Sequence, residues 1–169
     1  MSLKVNKTNS TILKKKIKNI KIIFTDFDGT LTDNKVLVDE NGKESVFCNR
    51  ADGQAINYFK KKNYEVICLS TEKNNVVLQR CKKLKIKCYN KIDNKEKFLK
   101  DYCKKNKSNL RNIALVGNSY NDLDALKIVG LSVAVKDSVR IVKKISDIIL
   151  TKNGGEGVLE ELFSIFDIR

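Results

Sequence analysis

Two carboxylates separated by one residue, Asp26 and Asp28, follow an apolar run at residues 22–24, with Thr25 in between. A run rich in β-branched residues that stops at Asp-Phe-Asp-Gly is typical of a buried strand ending in a tight turn. Side chains two apart on an extended chain share a face, so the two carboxylates should converge. They would repel each other without a cation, and Mg²⁺ suits carboxylate and phosphate oxygens. The stretch therefore predicts a magnesium site, with an ordinary polar turn as the alternative.

Two further predicted strands end in polar residues, at Ser70-Thr71-Glu72 and at residues 118–122, and Lys95 begins a charged helix between them. Ligands of open α/β sheets bind at the carboxyl ends of the strands. Together these residues offer carboxylates, a hydroxyl, an amine and oxygen ligands, which are the groups that phosphoryl transfer requires. An Asp carboxylate can itself act as the nucleophile and form an aspartyl-phosphate.

The elements that must position these residues alternate between strands and helices. This alternation predicts βαβ units, a mainly parallel sheet and a Rossmann-like three-layer α/β fold. Asn41-Gly42 between β-prone runs at 36–38 and 45–48 predicts a β-hairpin after the first strand. No stretch is left for a lid domain, so the fold is expected to be uncapped. Further strands are expected at 65–69, 86–89, 112–116, 131–135 and 147–150, and helices at 52–62, 73–84, 93–105, 120–129, 138–145 and from Val158 onward.

A length of 169 residues without proline favours one domain, residues 20–169, after a basic and polar N-terminal segment, residues 1–19. The absence of histidine excludes phosphohistidine chemistry, Ser-His-Asp triads and histidine-based zinc sites. Five cysteines without a C-x-x-C pair are expected to be free thiols in a reducing cytosol. The run at 22–24 is too short for a signal peptide or a membrane span, so a cytoplasmic protein is expected.

The net charge of +14 comes mainly from lysines scattered over nearly every predicted helix. A lysine-rich host proteome explains this pattern most simply, and attraction of a small anionic substrate is the alternative. Nucleic-acid binders usually gather basic residues, often with aromatics, on one face. Nucleic acid is therefore an unlikely partner, although an anion- or RNA-binding protein is a third possible class.

The motifs resemble those of the haloacid dehalogenase superfamily. Asp26-Phe27-Asp28-Gly29-Thr30 is similar to its first motif, Ser70 to its second, Lys95 to its third, and residues 117–122, Gly-Asn-Ser-Tyr-Asn-Asp, to its fourth. The four motifs occur in the family's order on the expected elements. The resemblance implies a phosphatase with an aspartate nucleophile.

Four further features narrow the resemblance to the small sugar-acid phosphatases: the uncapped size, the hairpin, Arg-Ala-Asp-Gly at residues 50–53 and Gly-Gly-Glu-Gly at residues 154–157. This branch includes the 3-deoxy-manno-octulosonate 8-phosphate phosphatases, the nonulosonate 9-phosphate phosphatases and the phosphatase-like domain of acylneuraminate cytidylyltransferases. It implies a Mg²⁺-dependent homotetramer in lipopolysaccharide or sialic acid biosynthesis, in which a neighbouring subunit helps to close each site. Residues 154–157 would then form either a flexible turn or a tail entering a neighbour's active site.

The resemblance also implies residue roles. Asp26 would be the nucleophile and a metal ligand. Asp28 would bind the metal through its backbone carbonyl and would act as the general acid and then as the general base. Ser70 and Lys95 would hold the phosphoryl group. Asn118 stands where the family usually has a metal-binding Asp, with Asp122 behind it as a further metal ligand, and an amide oxygen at Asn118 could weaken Mg²⁺ binding. The substrate-binding set would comprise Thr30, which supports the first loop, and Glu72, Arg80 and Lys83.

Glu72 bears on the choice of substrate. The octulosonate phosphatases tend to carry Thr-Gly-Arg where this chain has Ser70-Thr71-Glu72. Glu72, Arg80 and Lys83 resemble the nonulosonate 9-phosphate pattern, whereas an ordinary solvated helix face is the alternative interpretation. The sequence thus predicts a nonulosonate 9-phosphate phosphatase. The alternatives are an octulosonate 8-phosphate phosphatase and a non-catalytic oligomerisation domain.

Overall fold

The computed structural model describes residues 10–167 and contains one six-stranded sheet and one two-stranded hairpin. The strands of the sheet are β1 (Ile22–Thr25), β4 (Glu65–Leu69), β5 (Lys87–Tyr89), β6 (Ile113–Gly117), β7 (Leu131–Ala134) and β8 (Ile148–Ile149). The helices are α1 (Ser10–Asn19), α2 (Arg50–Lys61), α3 (Asn75–Leu84), α4 (Lys95–Lys105), α5 (Leu123–Ile128), α6 (Arg140–Ile145) and α7 (Val158–Asp167). Neighbouring strands follow the order β5-β4-β1-β6-β7-β8, and every pair is parallel.

Helices cover both faces of the sheet and bury it in two apolar clusters. One cluster joins the sheet to α1, α2, α3 and α7, and the other joins it to α4, α5 and α6. The central strand β1 is buried along its whole length, because Ile23 faces the first cluster while Ile22 and Phe24 face the second. A parallel strand covered on both sides is apolar at every position rather than at alternate ones. The predicted three-layer α/β fold is therefore confirmed.

The register of the sheet places three strand ends at the same edge. Thr25 of β1 pairs with Cys68 of β4 on one side and with Val116 of β6 on the other. The backbone amide of Asp26 continues this ladder by donating to the carbonyl of Val116 at 2.9 Å. As a result, the residues that follow β1, β4 and β6 emerge together, as the sequence predicts.

The hairpin comprises β2 (Leu37–Val38) and β3 (Glu44–Ser45), which are shorter than the predicted runs. Its turn is closed by the amide of Gly42, which donates to the carbonyl of Asp39, and Gly42 has a φ of +75°. Glycine adopts this left-handed conformation without steric cost. The hairpin exposes large apolar side chains to solvent, namely Val36, Leu37, Val38 and Phe47.

Helix α1 is the element that the sequence analysis missed, within a segment interpreted as basic and polar. Its Leu13 and Ile17, together with Ile20 after the helix, are buried in the first apolar cluster. Their spacing of four and three residues is that of one helical face. Residues 1–9 of the predicted N-terminal segment lie outside the described residues. Across residues 10–167, no helix combines the length and apolarity needed to cross a membrane.

The glycine-rich segment at residues 154–157 packs against the first motif of its own chain. The amide of Gly155 donates to the carbonyl of Thr30 at 2.9 Å, and a Cβ on Gly154 would overlap the carbonyl oxygen of Gly29. The buried Gly154 thus braces the loop after β1. Within one chain, residues 154–157 thus form a turn before α7 that packs against the first-motif loop.

Candidate active site

Asp26, Lys95 and Asp122 form a buried charge cluster at the carboxyl edge of the sheet. The Nζ of Lys95 lies 2.8 Å from Oδ1 of Asp26 and 2.6 Å from Oδ1 of Asp122. The same Oδ1 of Asp26 accepts a 2.8 Å hydrogen bond from the amide of Phe27. These contacts fix the orientation of the Asp26 carboxylate and leave its Oδ2 outside them. Lys95 thus brings the first, third and fourth motifs into direct contact.

The cluster carries two carboxylates against one ammonium, and its pKa values reflect that imbalance. Burial, and then the nearby Asp122 carboxylate, raise the pKa of Asp26 to about 7, although Lys95 opposes the shift. Burial alone would lower the pKa of Lys95, but Asp26 and Asp122 outweigh it and raise that pKa. A buried group of net negative charge is stabilised by additional positive charge. The site is therefore electrostatically suited to a cation.

Asp122 stabilises the fourth-motif loop by accepting hydrogen bonds from its backbone amides. Its Oδ2 accepts hydrogen bonds from the amides of Asn118 at 2.9 Å and Ser119 at 3.1 Å, while its Oδ1 binds Lys95. Both oxygens are thus already engaged by donors of the protein. The geometry favours a supporting role for Asp122 rather than the direct metal ligation that the sequence suggested.

Asn118 supplies an oxygen without a partner. Its Oδ1 is buried and accepts no hydrogen bond from any of residues 10–167. Its Nδ2 lies so close to Gly29 that a Cβ there would overlap it, which places the amide beside the Asp28-Gly29 peptide. An orphaned buried oxygen is costly unless something binds it. With the excess negative charge, this oxygen fits a hard divalent cation held by Asp26, Asp28 and Asn118.

Ser70 and Thr30 are both buried, but they make different hydrogen bonds. Ser70 follows β4; its amide donates to the carbonyl of Tyr89, and its Oγ accepts from the amide of Glu72 at 3.0 Å. Thr30 is fully buried, and its carbonyl accepts from Gly155. This burial and the contact with Gly155 agree with the loop-supporting role that the resemblance implies for Thr30.

Asp28 and Glu72 line a cavity of about 280 Å³ beside the charge cluster. Burial, and then the nearby Glu72, raise the pKa of Asp28. Glu72 also closes its own loop, because its Oε1 accepts from the amides of Lys73 and Asn74. The sequence analysis missed Glu44, which reaches this cavity from the hairpin and accepts a hydrogen bond from Asn74.

Arg80 and Lys83 lie apart from the nucleophile within one chain. They share a neighbouring open cavity of about 600 Å³ on the outer side of α3, which touches the first cavity along Glu44 and Asn74. The guanidinium of Arg80 donates to the carbonyl of Asn49 at 2.8 Å, and Lys83 is exposed. The structure thus groups Glu72 with Asp28, and Arg80 with Lys83, without bringing all four together.

Comparisons with known proteins agree with this geometry. The profile of the haloacid dehalogenase-like hydrolases matches residues 54–162. The 3-deoxy-D-manno-octulosonate 8-phosphate phosphatase of Haemophilus influenzae is 31% identical over 152 residues, which cover 89% of this chain and 84% of that protein.

Solved structures show the same fold. A hydrolase of the family from Streptomyces avermitilis is 36% identical, with a TM-score of 0.85 over 89% of this chain and 86% of that one. The octulosonate 8-phosphate phosphatase of Moraxella catarrhalis, in complex with magnesium, phosphate and its sugar acid, is 26% identical, with a TM-score of 0.89 over 94% and 91% of the two chains. Motif order, site geometry and these similarities lead to one conclusion: this chain belongs to the haloacid dehalogenase-like hydrolases, in their branch of small sugar-acid phosphatases.

Proposed function

We propose that this protein is a Mg²⁺-dependent phosphatase that hydrolyses a phosphorylated sugar acid through an aspartyl-phosphate on Asp26. The observation that carries the proposal is the buried Asp26 carboxylate, whose Oδ1 is fixed by Lys95 and by the amide of Phe27. A carboxylate held in one orientation, next to residues Phe27 and Asp28 that line a cavity, is positioned to attack phosphorus.

The chain's own residues supply the remaining parts of the reaction. Lys95 and the hydroxyl of Ser70 bind oxygens of the transferring phosphoryl group, on which negative charge is spread in the transition state. Asp28 donates a proton to the leaving oxygen and then accepts one from the attacking water; its raised pKa favours the protonated form that the first step needs. When bound, Mg²⁺ neutralises phosphate charge and orients the phosphoryl group.

The proposed substrate is a nonulosonate 9-phosphate. Glu72 supports this choice because it lines the same cavity as Asp28, at the position where polar groups remote from the phosphate would lie. An octulosonate 8-phosphate is the second candidate, since that is the substrate named for the Haemophilus influenzae relative. Both are sugar acids with a terminal phosphate, so the catalytic residues would act on either.

We also propose that the protein works as a homotetramer. The exposed apolar side chains of the hairpin, Phe47 (78% exposed) and Leu37 (67%), are typical of a surface that another chain covers. Arg80 and Lys83, which lie apart from the nucleophile of their own chain, would then serve the site of a neighbouring subunit. We place this assembly in the cytoplasm, because all five cysteines are free thiols, as reducing conditions require.

Phosphate release from a panel of sugar-acid phosphates, with and without Mg²⁺, tests the proposed function. The expected result is Mg²⁺-dependent turnover with kcat/KM highest for a nonulosonate 9-phosphate. A preference for octulosonate 8-phosphate would select the second candidate, and no turnover of any sugar-acid phosphate would contradict the proposal.

Two variants test the substrate-binding residues separately from the chemistry. Glu72→Ala and Lys83→Ala should each lower kcat/KM for the nonulosonate phosphate by about one to three orders of magnitude, or roughly 1.4–4 kcal/mol. Hydrolysis of p-nitrophenyl phosphate should hardly change, because that substrate does not reach these groups. Lys82→Ala is the matched control, since Lys82 is an exposed lysine of the same helix outside both cavities. Equal losses on both substrates would indicate structural damage instead.

A further inference from the structure

Three cysteines on three consecutive elements, Cys68, Cys81 and Cys88, lie close together behind the loop that carries Ser70. Cys68 and Cys88 are directly paired across the parallel strands β4 and β5, so their side chains lie on the same face of the sheet. Helix α3, which connects these two strands, covers that face and contributes Cys81. The three sulfur atoms lie within 4.8 Å of one another. One βαβ unit thus builds the whole cluster, without a C-x-x-C motif in the sequence.

We propose that Cys68, Cys81 and Cys88 form a binding site for a thiophilic d¹⁰ cation such as Zn²⁺, separate from the carboxylate site that suits Mg²⁺. Thiolates select such soft or borderline ions, whereas Mg²⁺ prefers oxygen ligands. Bonds of about 2.3 Å at tetrahedral angles require sulfur atoms about 3.8 Å apart, so the observed spacing needs only a small contraction. Each thiol that binds the ion loses its proton, and up to three protons are released.

Burial leaves the cluster open on one side, and the electrostatics favour a single thiolate, because hydrogen bonding among the thiols and burial raise the pKa of Cys68 and raise that of Cys81 to about 12. Cys68 is 0% and Cys81 1% exposed, whereas Cys88 is only half-buried and leaves a path for the ion. Hydrogen bonds from Cys68 and Cys81 lower the pKa of Cys88, which favours one thiolate before an ion arrives. No other Cys, Asp or Glu within residues 10–167 joins the group. A fourth ligand would therefore be water, entering beside Cys88.

The position of the cluster connects it to the catalytic loop. Cys68 lies two residues before Ser70, and Cys88 directly precedes Tyr89, whose carbonyl accepts the amide of Ser70. The carbonyl of Cys81 also accepts the amide of Ile86, the residue that precedes β5. An ion would therefore cross-link β4, α3 and β5 directly behind Ser70, which should raise the melting temperature.

Titration of the reduced protein with Cd²⁺ under anaerobic conditions tests the proposal, because cadmium–thiolate bonds absorb in the ultraviolet. Excess Mg²⁺ keeps the carboxylate site occupied during the titration. The expected result is one thiolate-bound Cd²⁺ per chain, three of five thiols protected from alkylation, and a higher melting temperature. An excess of Zn²⁺ should compete with Cd²⁺ and lower its apparent affinity, although thiolates bind the softer Cd²⁺ more tightly.

Variants decide whether the three cysteines are responsible. Cys68→Ala and Cys88→Ala should each weaken binding by about a hundredfold or more, since a lost ligand costs at least as much as a lost supporting contact. Cys103→Ala is the matched control, because Cys103 is buried on the opposite face of the sheet and should bind like the parent. Circular dichroism checks that each variant is folded. If Cys68→Ala misfolds, Cys88→Ala still provides the test, because Cys88 is only half-buried and its substitution disturbs the core less. The proposal would be overturned if one equivalent of Cd²⁺ produced no thiolate absorption, or if a folded Cys68→Ala or Cys88→Ala variant still bound Cd²⁺ like the parent. An equal loss of Cd²⁺ binding in Cys103→Ala would also overturn it.

Discussion

Replacement of Asn118 by Asp should have opposite effects on the protein without and with Mg²⁺. The orphaned Oδ1 of Asn118 lies in a site that already carries Asp26 and Asp122 against Lys95. A third carboxylate here would repel Asp26 and Asp122, and two like charges on the order of 5 Å apart repel by about 3 kcal/mol at an effective dielectric constant of 20. Partial protonation would reduce this cost, so we expect the metal-free variant to lose about 2–4 kcal/mol of unfolding free energy.

Magnesium should reverse the effect, because the variant offers it an additional anionic oxygen. A tenfold to hundredfold tighter Mg²⁺ complex corresponds to about 1.4–2.7 kcal/mol. The melting temperature of Asn118→Asp should therefore start below that of the parent and rise more steeply with Mg²⁺ concentration. Thermal unfolding over a Mg²⁺ series, together with calorimetric titration, measures both quantities.

Asn121→Asp provides the control, since it adds the same charge at an exposed position of the same loop. Its effect on stability should stay within about 0.5 kcal/mol, and its Mg²⁺ affinity should match that of the parent. If Asn118→Asp bound Mg²⁺ more weakly, or lost no stability without it, the Asn118 oxygen would not belong to the metal site.

Two other predictions concern stability. Gly154→Ala should lower stability by about 1–3 kcal/mol and reduce turnover, because its Cβ would overlap the carbonyl of Gly29 and displace the first-motif loop; melting temperatures and turnover equal to those of the parent would contradict this. Burial raises the pKa of Asp52 to about 6, so the stability that its protonated form provides below about pH 4 is lost as pH rises through 6. Asp52→Asn keeps an acceptor for the amide of Leu159 and does not ionise, so it should not show this loss of about 3 kcal/mol in unfolding free energy. Urea unfolding of parent and variant from pH 4 to 7 measures the difference, and the same pH dependence in both proteins would refute the prediction.

The positions of the candidate catalytic residues were predictable, because they follow from local sequence pattern and one general rule. Asp26, Ser70 and Asn118 each follow a short apolar strand, and parallel strands bring such residues to one edge. The sequence also indicated Lys95 at the start of α4. It could not indicate that Lys95 bridges Asp26 and Asp122, because that contact depends on how α4 and the fourth-motif loop pack together.

Features that depend on long-range packing could not be predicted. Glu44 reaches the cavity only because the hairpin folds over the sheet edge. Cys68, Cys81 and Cys88 meet through strand register and helix placement, which their spacing does not reveal. Helix α1 could have been predicted, because Leu13, Ile17 and Ile20 have the spacing of one helical face. The many lysines around them led to the interpretation of the segment as basic and polar.

Chemical trapping of the aspartyl-phosphate decides whether Asp26 is the nucleophile. The protein is mixed with Mg²⁺ and a sugar-acid phosphate carrying labelled phosphorus, quenched in acid during turnover, and digested for peptide mapping. The expected result is a label on Asp26 that hydroxylamine removes, as for any acyl phosphate, and that is absent from a folded Asp26→Asn variant with negligible turnover. A label on another residue, or more than a few per cent of parental turnover in Asp26→Asn, would contradict it.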